Sequence, residues 1–116
     1  MRDSVSTKNA KILIVDDIPA NLNLLSQNLE SQGYRVVAVP SGVVALQIVE
    51  QTQPELILLD IMMPEMDGFE TCRRLKANPV TADIPVIFIT ARDEMESLVE
   101  GFLVGGVDYI TKPFSE

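Results

Sequence analysis

The run Leu56-Ile57-Leu58-Leu59-Asp60 constrains the fold of this chain more than any other stretch. Four consecutive aliphatic residues are typical of a strand that is covered on both faces, as in a parallel sheet packed between helices. The run ends on a carboxylate, which places Asp60 at the carboxyl edge of a predicted central strand. Open α/β sheets bind their ligands at that edge, so an acid there indicates a functional role.

Four more segments are predicted strands, at 11–15, 34–39, 85–89 and 107–110. The first helix has its apolar stripe at Ile18, Leu22, Leu25 and Leu29. Four helices are predicted in all. They run from Ile18 to Gly33, from the N-cap Ser41 to Pro54, from Phe69 to Leu75 and from Asp93 to Leu103. Five strands alternating with four helices predict an α/β doubly wound fold with a parallel sheet.

The chain of 116 residues has room for one domain. We expect residues 1–10 to form a flexible N-terminal segment and residues 11–116 to form the domain. Ser115 and Glu116 resemble the start of a fifth helix that is absent from this chain. That absence predicts reduced stability, or a non-native or swapped association.

The charge of the chain disfavours a nucleic-acid surface, because 17 acids against 9 bases give a net charge of −8. No apolar run is long enough to cross a bilayer, and the polar segment Met1 to Asn9 lacks a secretory signal. Together with the single cysteine, this predicts a cytoplasmic protein with no membrane partner. The chain has no histidine, so any acid, base or ligand must be a carboxylate, lysine, hydroxyl or backbone group.

Polar residues follow four of the five predicted strands. They are Asp16, Asp17, Asp60, Thr90 and Lys112. Parallel strands end at one edge of a sheet, so these side chains are expected to converge in one cleft. Three carboxylates placed together repel one another, and oxygen ligands favour a hard cation such as Mg²⁺. The available nucleophile in this cleft is a carboxylate, which would form an aspartyl phosphate beside the ion and Lys112.

These residues resemble the receiver domains of response regulators in two-component signal transduction, chemotaxis regulators among them. The matching stretches are Asp16-Asp17, the run from Leu58 to Gly68, Ile89 to Ala91 and Asp108 to Phe114. The resemblance extends over nearly the whole chain from Lys11. It implies a flavodoxin-like fold with a five-stranded sheet in the order 2-1-3-4-5.

The resemblance also implies a role for each matching residue. Asp60 would be the phosphoacceptor, with Thr90 and Lys112 as its catalytic partners. Mg²⁺ would be bound by Asp16, Asp17, Asp60 and the backbone carbonyl of Met62. Thr90 and Tyr109 would form the switch. Lys112-Pro113 would be a cis peptide bond.

The resemblance implies that the chain is a phosphorylation-controlled switch and not an enzyme that turns over an external substrate. A histidine kinase or phosphotransfer protein would donate the phosphoryl group to Asp60. The face made by the fourth helix and fifth strand would then control an output domain or downstream protein. The family also forms homodimers through this region.

Alternative interpretations remain for several of these residues. Asp17 is also suited to be a helix cap, and Tyr109 to be an aromatic residue of the core. Cys72 is suited to be a small buried hydrophobic residue rather than a redox centre. A degenerate receiver that serves as a binding module is a second function. An aspartyl-nucleophile phosphatase is a third, although such enzymes need an acid two residues after the nucleophile, where this chain has Met62.

Overall fold

The computed structural model describes residues 9–90, residue 105 and residues 108–111. Five parallel strands form one sheet in the order β2-β1-β3-β4-β5. They are β1 (Lys11–Val15), β2 (Arg35–Val39), β3 (Leu56–Asp60), β4 (Val86–Thr90) and β5 (Asp108–Thr111). This order confirms the flavodoxin-like sheet that the family resemblance implies.

Three helices connect the first four strands: α1 (Pro19–Ser31), α2 (Gly42–Thr52) and α3 (Gly68–Ala77). The predicted N-cap of α2 is confirmed, because the Ser41 side chain accepts a hydrogen bond from the Val44 N–H at 3.2 Å. No helix within the described ranges has the length and apolar character that a bilayer crossing requires. The helix predicted from Asp93 to Leu103 lies outside the described residues.

Two apolar clusters cover the faces of the sheet, because side chains alternate along each strand. On one face, strand residues such as Leu13, Leu59 and Phe88 pack against α2 and α3. On the other face, Ile14 and Leu58 pack with Leu25 of α1. Both clusters draw on β1 and β3, so these central strands are buried on two sides as predicted.

The apolar stripe predicted for α1 is wrong at its first position. Ile18 is the N-cap residue rather than a helical one, and its side chain is 47% exposed. The helix begins at Pro19, and the turn closed by the hydrogen bond from the Ile18 N–H to Asp16 leaves Ile18 outside it. Leu25 is buried and Leu22 and Leu29 are partly buried, so the rest of the stripe packs as predicted.

The backbone hydrogen bonding between the β1 and β2 segments begins before Lys11. The N–H of Asn9 donates to the carbonyl of Gly33 at 2.9 Å, and the N–H of Arg35 donates to the carbonyl of Ala10 at the same distance. These bonds extend the β1–β2 pairing by two residues. Asn9 and Ala10 are therefore attached to the sheet, although the sequence places them in the preceding segment.

The register of the central strands determines where the polar strand ends lie. Val15 of β1 pairs with Leu59 of β3, and Asp60 pairs with Ile89 of β4. The residues that follow Val15 therefore lie beside Asp60 on one side. Thr90 follows Ile89 on the other side, so its backbone is placed next to the same end of β3.

Candidate functional site

Asp60 is the last residue of β3, and its side chain is only 1% exposed. Its neighbours in the strand are the fully buried Leu59 and the buried Leu58. By the alternation of the strand, Asp60 shares the α1 face of the sheet with Leu58. The acid is thus placed at the predicted carboxyl edge, with apolar packing beneath it.

Asp16 and Asp17 follow β1 and bring two more carboxylates to the same edge. Asp16 is fully buried, whereas Asp17 lies at the rim and is partly exposed. The Ile18 N–H donates to Oδ1 of Asp16 at 2.9 Å. This bond turns the chain into α1 and keeps the Asp16 carboxylate beside the N-terminus of that helix, where the helix dipole favours negative charge.

The three carboxylates form one cluster. One oxygen from each of Asp16, Asp17 and Asp60 lies within 4.8 Å of the other two. At an effective dielectric constant near 20, each pair of charges this close repels by about 3 kcal/mol. A bound cation would compensate this repulsion. The predicted convergence of these three residues is therefore found in the structure.

The basic side chains between residues 9 and 90 are engaged elsewhere. Lys11 donates to the carbonyl of Thr52, and Arg35 donates to the carbonyl of Asn9. Lys76 donates to two carbonyls in the connection to β4. Arg73 and Arg74 both bind Glu70 on the surface of α3. The compensating charge for the cluster must therefore come from outside this part of the chain.

The cluster has the donor atoms that a Mg²⁺ ion requires. All three residues offer carboxylate oxygens, the ligand type that this hard cation prefers. Oδ1 of Asp17 is buried and receives no hydrogen bond from the described residues, so this oxygen is available as a ligand. The residues present thus fit the ion that the sequence predicts.

Asp17 does not cap the following helix. Ile18 occupies the N-cap position, and no side chain caps α1. At the start of the helix the Asn21 N–H donates to the backbone carbonyl of Ile18 and not to a capping side chain. The interpretation of Asp17 as a helix cap is therefore wrong, which leaves its carboxylate for the cluster.

Met62 lies in the loop 61–67, two residues after Asp60. It is 61% exposed, and a methionine does not supply the acid that an aspartyl-nucleophile phosphatase needs at this position. The loop contains a three-residue turn in which the Met66 N–H donates to the Pro64 carbonyl at 2.8 Å. Glu65 at its centre has φ of 70°, the rarer form of the γ-turn. The ligand role of the Met62 carbonyl stays a prediction.

The remaining predicted site residues are described in part. Thr90, predicted to follow the fourth strand, is the last residue of β4 and pairs with Thr111. Tyr109 lies on β5 as predicted and pairs with Phe88. Their switch roles stay predictions. Lys112 and Pro113, with their predicted catalytic role and cis peptide bond, lie outside the described residues.

Cys72 is fully buried on α3 among the apolar residues of the α2–α3 face. Burial raises the pKa of its thiol above the usual value, with Lys76 and Arg73 opposing the shift weakly. A thiol with a raised pKa is a poor nucleophile. The interpretation of Cys72 as a small buried hydrophobe is therefore confirmed.

Asp67 has a structural role that the sequence interpretation missed. Its Oδ1 accepts a hydrogen bond from the Glu70 N–H at 2.9 Å, and this caps the N-terminus of α3. The signal was present as an acid followed three residues later by a glutamate, the spacing of a capping box. The proline and glycine of this stretch predict a loop, and they do not indicate that Asp67 caps the helix that follows.

Known proteins resemble this chain over almost its whole length. The family described as "Response regulator receiver domain" matches residues 12–116. The transcriptional regulator RpaA of Synechocystis sp. is 46% identical over 104 residues, which are 90% of this chain and 43% of RpaA. A "Probable cyclic di-GMP phosphodiesterase" of Vibrio cholerae is 51% identical over 104 residues, 90% of this chain and 23% of that protein.

A solved structure is similar to this chain over most of its length. It is the receiver domain of the sensor histidine kinase PA1611 from Pseudomonas aeruginosa PAO1, with a magnesium ion coordinated in its active site cleft. Its TM-score is 0.83 at 32% identity, with 92% of this chain and 87% of that chain covered. This chain spans less than half the length of the two curated relatives named above. The family match from residue 12 to 116 shows that the chain belongs to the response regulator receiver domains.

Proposed function

We propose that this receiver domain accepts a phosphoryl group on Asp60 from a histidine kinase or a phosphotransfer protein, in a Mg²⁺-dependent reaction. The phosphorylated domain then controls an attached output domain or a downstream protein. It turns over no external substrate and catalyses only its own phosphorylation and dephosphorylation. We assign residues 11–116 of this chain to that domain.

One observation supports this proposal above the others. Three carboxylates converge within 4.8 Å at the carboxyl edge of a parallel sheet, and two of them are buried. Three clustered carboxylates are an oxygen-rich ligand set that suits a divalent cation, and a bound cation would offset the cost of burying their charge. The arrangement is stable when a cation is bound, and the same cation would attract an incoming phosphoryl group.

Asp60 is the nucleophile of the proposed transfer. One of its carboxylate oxygens attacks the phosphorus of a phosphohistidine on the donor, and an O–P bond forms as the P–N bond breaks. The electron pair of the broken bond stays with the imidazole nitrogen, which takes up a proton. The buried strand residues Leu58 and Leu59 hold the backbone of Asp60 at the strand end, and a fixed position of the nucleophile favours such a transfer.

Asp16 and Asp17 would hold the ion together with Asp60 and the carbonyl of Met62. Mg²⁺ supplies positive charge that neutralises the phosphoryl oxygens when it is bound. Asp16 is oriented for this by its bond to the Ile18 N–H, and Asp17 reaches the site from the rim. The three acids thereby differ in role, with two that bind and one that also reacts.

Thr90, Lys112 and Tyr109 complete the proposed mechanism. Thr90, at the end of the strand beside β3, would donate its hydroxyl proton to a phosphoryl oxygen. Lys112 would pair with another oxygen of the group. Movement of Thr90 and Tyr109 would change the face of β5 and bias a two-state equilibrium. Self-association through that face belongs to the same proposal.

The nature of the output is suggested by the relatives. One is described as a DNA-binding regulator and another as a cyclic di-GMP phosphodiesterase, and in each the matched part is a minority of the protein. The same receiver fold thus accompanies different outputs. We propose that any nucleic-acid or nucleotide chemistry of the complete protein lies outside this domain.

The proposal is tested with beryllofluoride, a mimic of the phosphoryl group, and Mg²⁺. We expect the amide NMR signals around Asp60, Thr90 and Tyr109 to shift when both are added. Asp60→Asn should abolish the shifts, and Asp67→Asn, which keeps an N-cap at an exposed position, should preserve them. An unchanged response in Asp60→Asn would refute the role of Asp60.

Two further outcomes separate the alternative functions. Steady hydrolysis of a phosphomonoester over many turnovers would favour an enzyme of the phosphatase type. Absence of Mg²⁺ binding near neutral pH would favour a binding module that has lost its phosphoryl chemistry. We expect neither.

A further inference from the structure

The loop 61–67 returns to the end of β3 at Gly68, the first residue of α3. The Gly68 N–H donates to the Ile61 carbonyl at 2.8 Å. A Cβ atom placed on Gly68 would clash with the carbonyl oxygen of Asp60 and would lie 2.8 Å from Cα of Ile61. Both neighbours are backbone atoms of the peptide that follows the proposed phosphoacceptor, so neither moves without the strand.

We propose that Gly68 is a positioning residue for the acid cluster. Its missing side chain lets the first turn of α3 pack directly on the Asp60–Ile61 peptide. This contact fixes the distance of Asp60 from the loop residues that follow it, Met62 included. The inference rests on the proposed function, since it concerns the geometry that the ion and phosphoryl group require.

Glycine is needed at position 68 because there is no room for a Cβ atom, and not because of its backbone conformation. The glycines with positive φ in the described part of the chain are Gly33 and Gly105, so Gly68 has a conformation that alanine also adopts. Helix propensity favours alanine over glycine by about 1 kcal/mol within a helix. Local propensity therefore predicts that Gly68→Ala is harmless, whereas the close contact predicts the opposite.

The elements on both sides of the contact are held firmly. Phe69, Cys72 and Leu75 anchor α3 in the core, and Phe69 makes an edge-to-face contact with Phe88 at a centroid distance of 5.4 Å. β3 is paired on both sides, to β1 and β4. An added methyl group must therefore displace the connection between them, which is the Asp60–Ile61 peptide and the loop 61–67.

Such a displacement affects Mg²⁺ binding more than folding. The ion demands nearly ideal octahedral geometry at short distances, so a shift of a few tenths of an ångström in one ligand weakens binding. Loss of the groups that orient metal ligands commonly lowers metal affinity about 10- to 100-fold. We expect Gly68→Ala to fall in this range.

A control variant must lose stability without a change at the acid cluster. Thr81 provides one, because its buried hydroxyl donates to the Leu75 carbonyl at 2.6 Å near the C-terminal end of α3. Thr81→Val removes that bond, which costs about 1 to 3 kcal/mol when it leaves a buried carbonyl unsatisfied. Gly68→Ala and Thr81→Val thus perturb opposite ends of one helix.

The experiment measures Mg²⁺ dissociation constants of the wild-type chain and both variants by calorimetry, at a temperature where all three are folded. We expect Gly68→Ala to weaken Mg²⁺ binding about 10- to 100-fold and Thr81→Val to bind like the wild type. The amide signals of Asp60, Ile61 and Met62 should shift in Gly68→Ala without metal. Should Gly68→Ala be too unstable, both measurements are made in a Gln53→Gly background, which relieves a φ of 49° at the C-terminal end of α2.

Unchanged Mg²⁺ affinity and unchanged amide signals in Gly68→Ala would overturn the positioning role. An equal loss of affinity in Thr81→Val would also overturn it, because stability alone would then explain the effect. If the wild-type chain binds no Mg²⁺, the proposed function fails, and the inference about Gly68 fails with it. Normal wild-type binding together with normal Gly68→Ala binding refutes only the inference.

Discussion

The backbone N–H of Ile18 donates a hydrogen bond to Oδ1 of Asp16 at 2.9 Å, which ties the entry of α1 to the buried acid of the cluster. Asparagine retains an oxygen at this position, so Asp16→Asn keeps the bond and removes one negative charge. The neutral variant therefore separates the structural role of Asp16 from its electrostatic role.

We expect Asp16→Asn to raise the free energy of unfolding by about 1 to 3 kcal/mol in the absence of Mg²⁺, since repulsion between charges about 5 Å apart is relieved. Mg²⁺ should stabilise the variant less than the wild type, because one ligand has lost its charge. Urea unfolding with and without Mg²⁺ measures both effects. Loss of stability in the metal-free variant would contradict the repulsion.

Glu65 has φ of 70°, a conformation that costs residues with a side chain about 1 to 2 kcal/mol. Glycine adopts it without strain but loses more conformational freedom on folding. We expect Glu65→Gly to raise the free energy of unfolding by about 0.5 to 1 kcal/mol, the balance of these effects. Glu65→Ala retains the strain, so chemical denaturation should show no such gain. A gain in both variants would point to the charge of Glu65 instead.

Lys76 joins α3 to the connection before β4. Its Nζ donates to the carbonyls of Ala82 at 3.0 Å and Ile84 at 2.7 Å. Lys76→Met keeps the aliphatic stem and removes both bonds, and we expect a loss of about 1 to 3 kcal/mol in unfolding free energy.

Arg74 is the matched control for Lys76, because it lies on the same helix and its Nε binds Glu70 at the surface at 2.9 Å. Hydrogen bonds from Arg74 and then Arg73 lower the pKa of Glu70, but these ion pairs lie at the surface and are screened by water. Arg74→Met should therefore destabilise the domain much less than Lys76→Met in thermal unfolding. Equal effects would indicate that the two carbonyl bonds of Lys76 contribute nothing beyond a surface ion pair.

Burial raises the pKa of the Cys72 thiol in the folded domain. The unfolded chain then loses this proton at lower pH than the folded one, so the stability contribution is complete below the unfolded pKa. It is lost as pH rises from about 8.5 toward the higher folded pKa. We expect unfolding free energy to fall more steeply over this range in the wild type than in Cys72→Ala.

Alkylation of Cys72 provides a second measurement of the same property. Iodoacetamide should react slowly with the folded domain and at the rate of a free thiol once urea unfolds it. Rapid alkylation of the folded domain, or identical pH dependence of stability in Cys72→Ala, would contradict the buried, protonated thiol.

The sheet and the acid cluster could be predicted from the sequence because the same pattern determines both. Aliphatic runs that are buried on two faces require a parallel sheet, and such a sheet brings its strand ends together. Asp16, Asp17 and Asp60 therefore converge for a reason that is visible in the order of residues.

The details that the sequence did not reveal depend on contacts across the fold. Ile18 has the spacing of a core residue, yet the turn closed by Asp16 places it outside the helix. Gly68 appears as a loop residue, and its close approach to Asp60 exists only once α3 has packed on the sheet. Periodicity carries no information about either relationship.

Phosphorylation by acetyl phosphate in the presence of Mg²⁺ tests the role of the acid cluster most directly. Intact-protein mass spectrometry should show the addition of one phosphoryl group, and peptide mapping should place it on Asp60. Removal of Mg²⁺ by a chelator and the substitution Asp60→Asn should each abolish the modification. A phosphoryl group on another residue, or full modification of Asp60→Asn, would contradict the proposed mechanism.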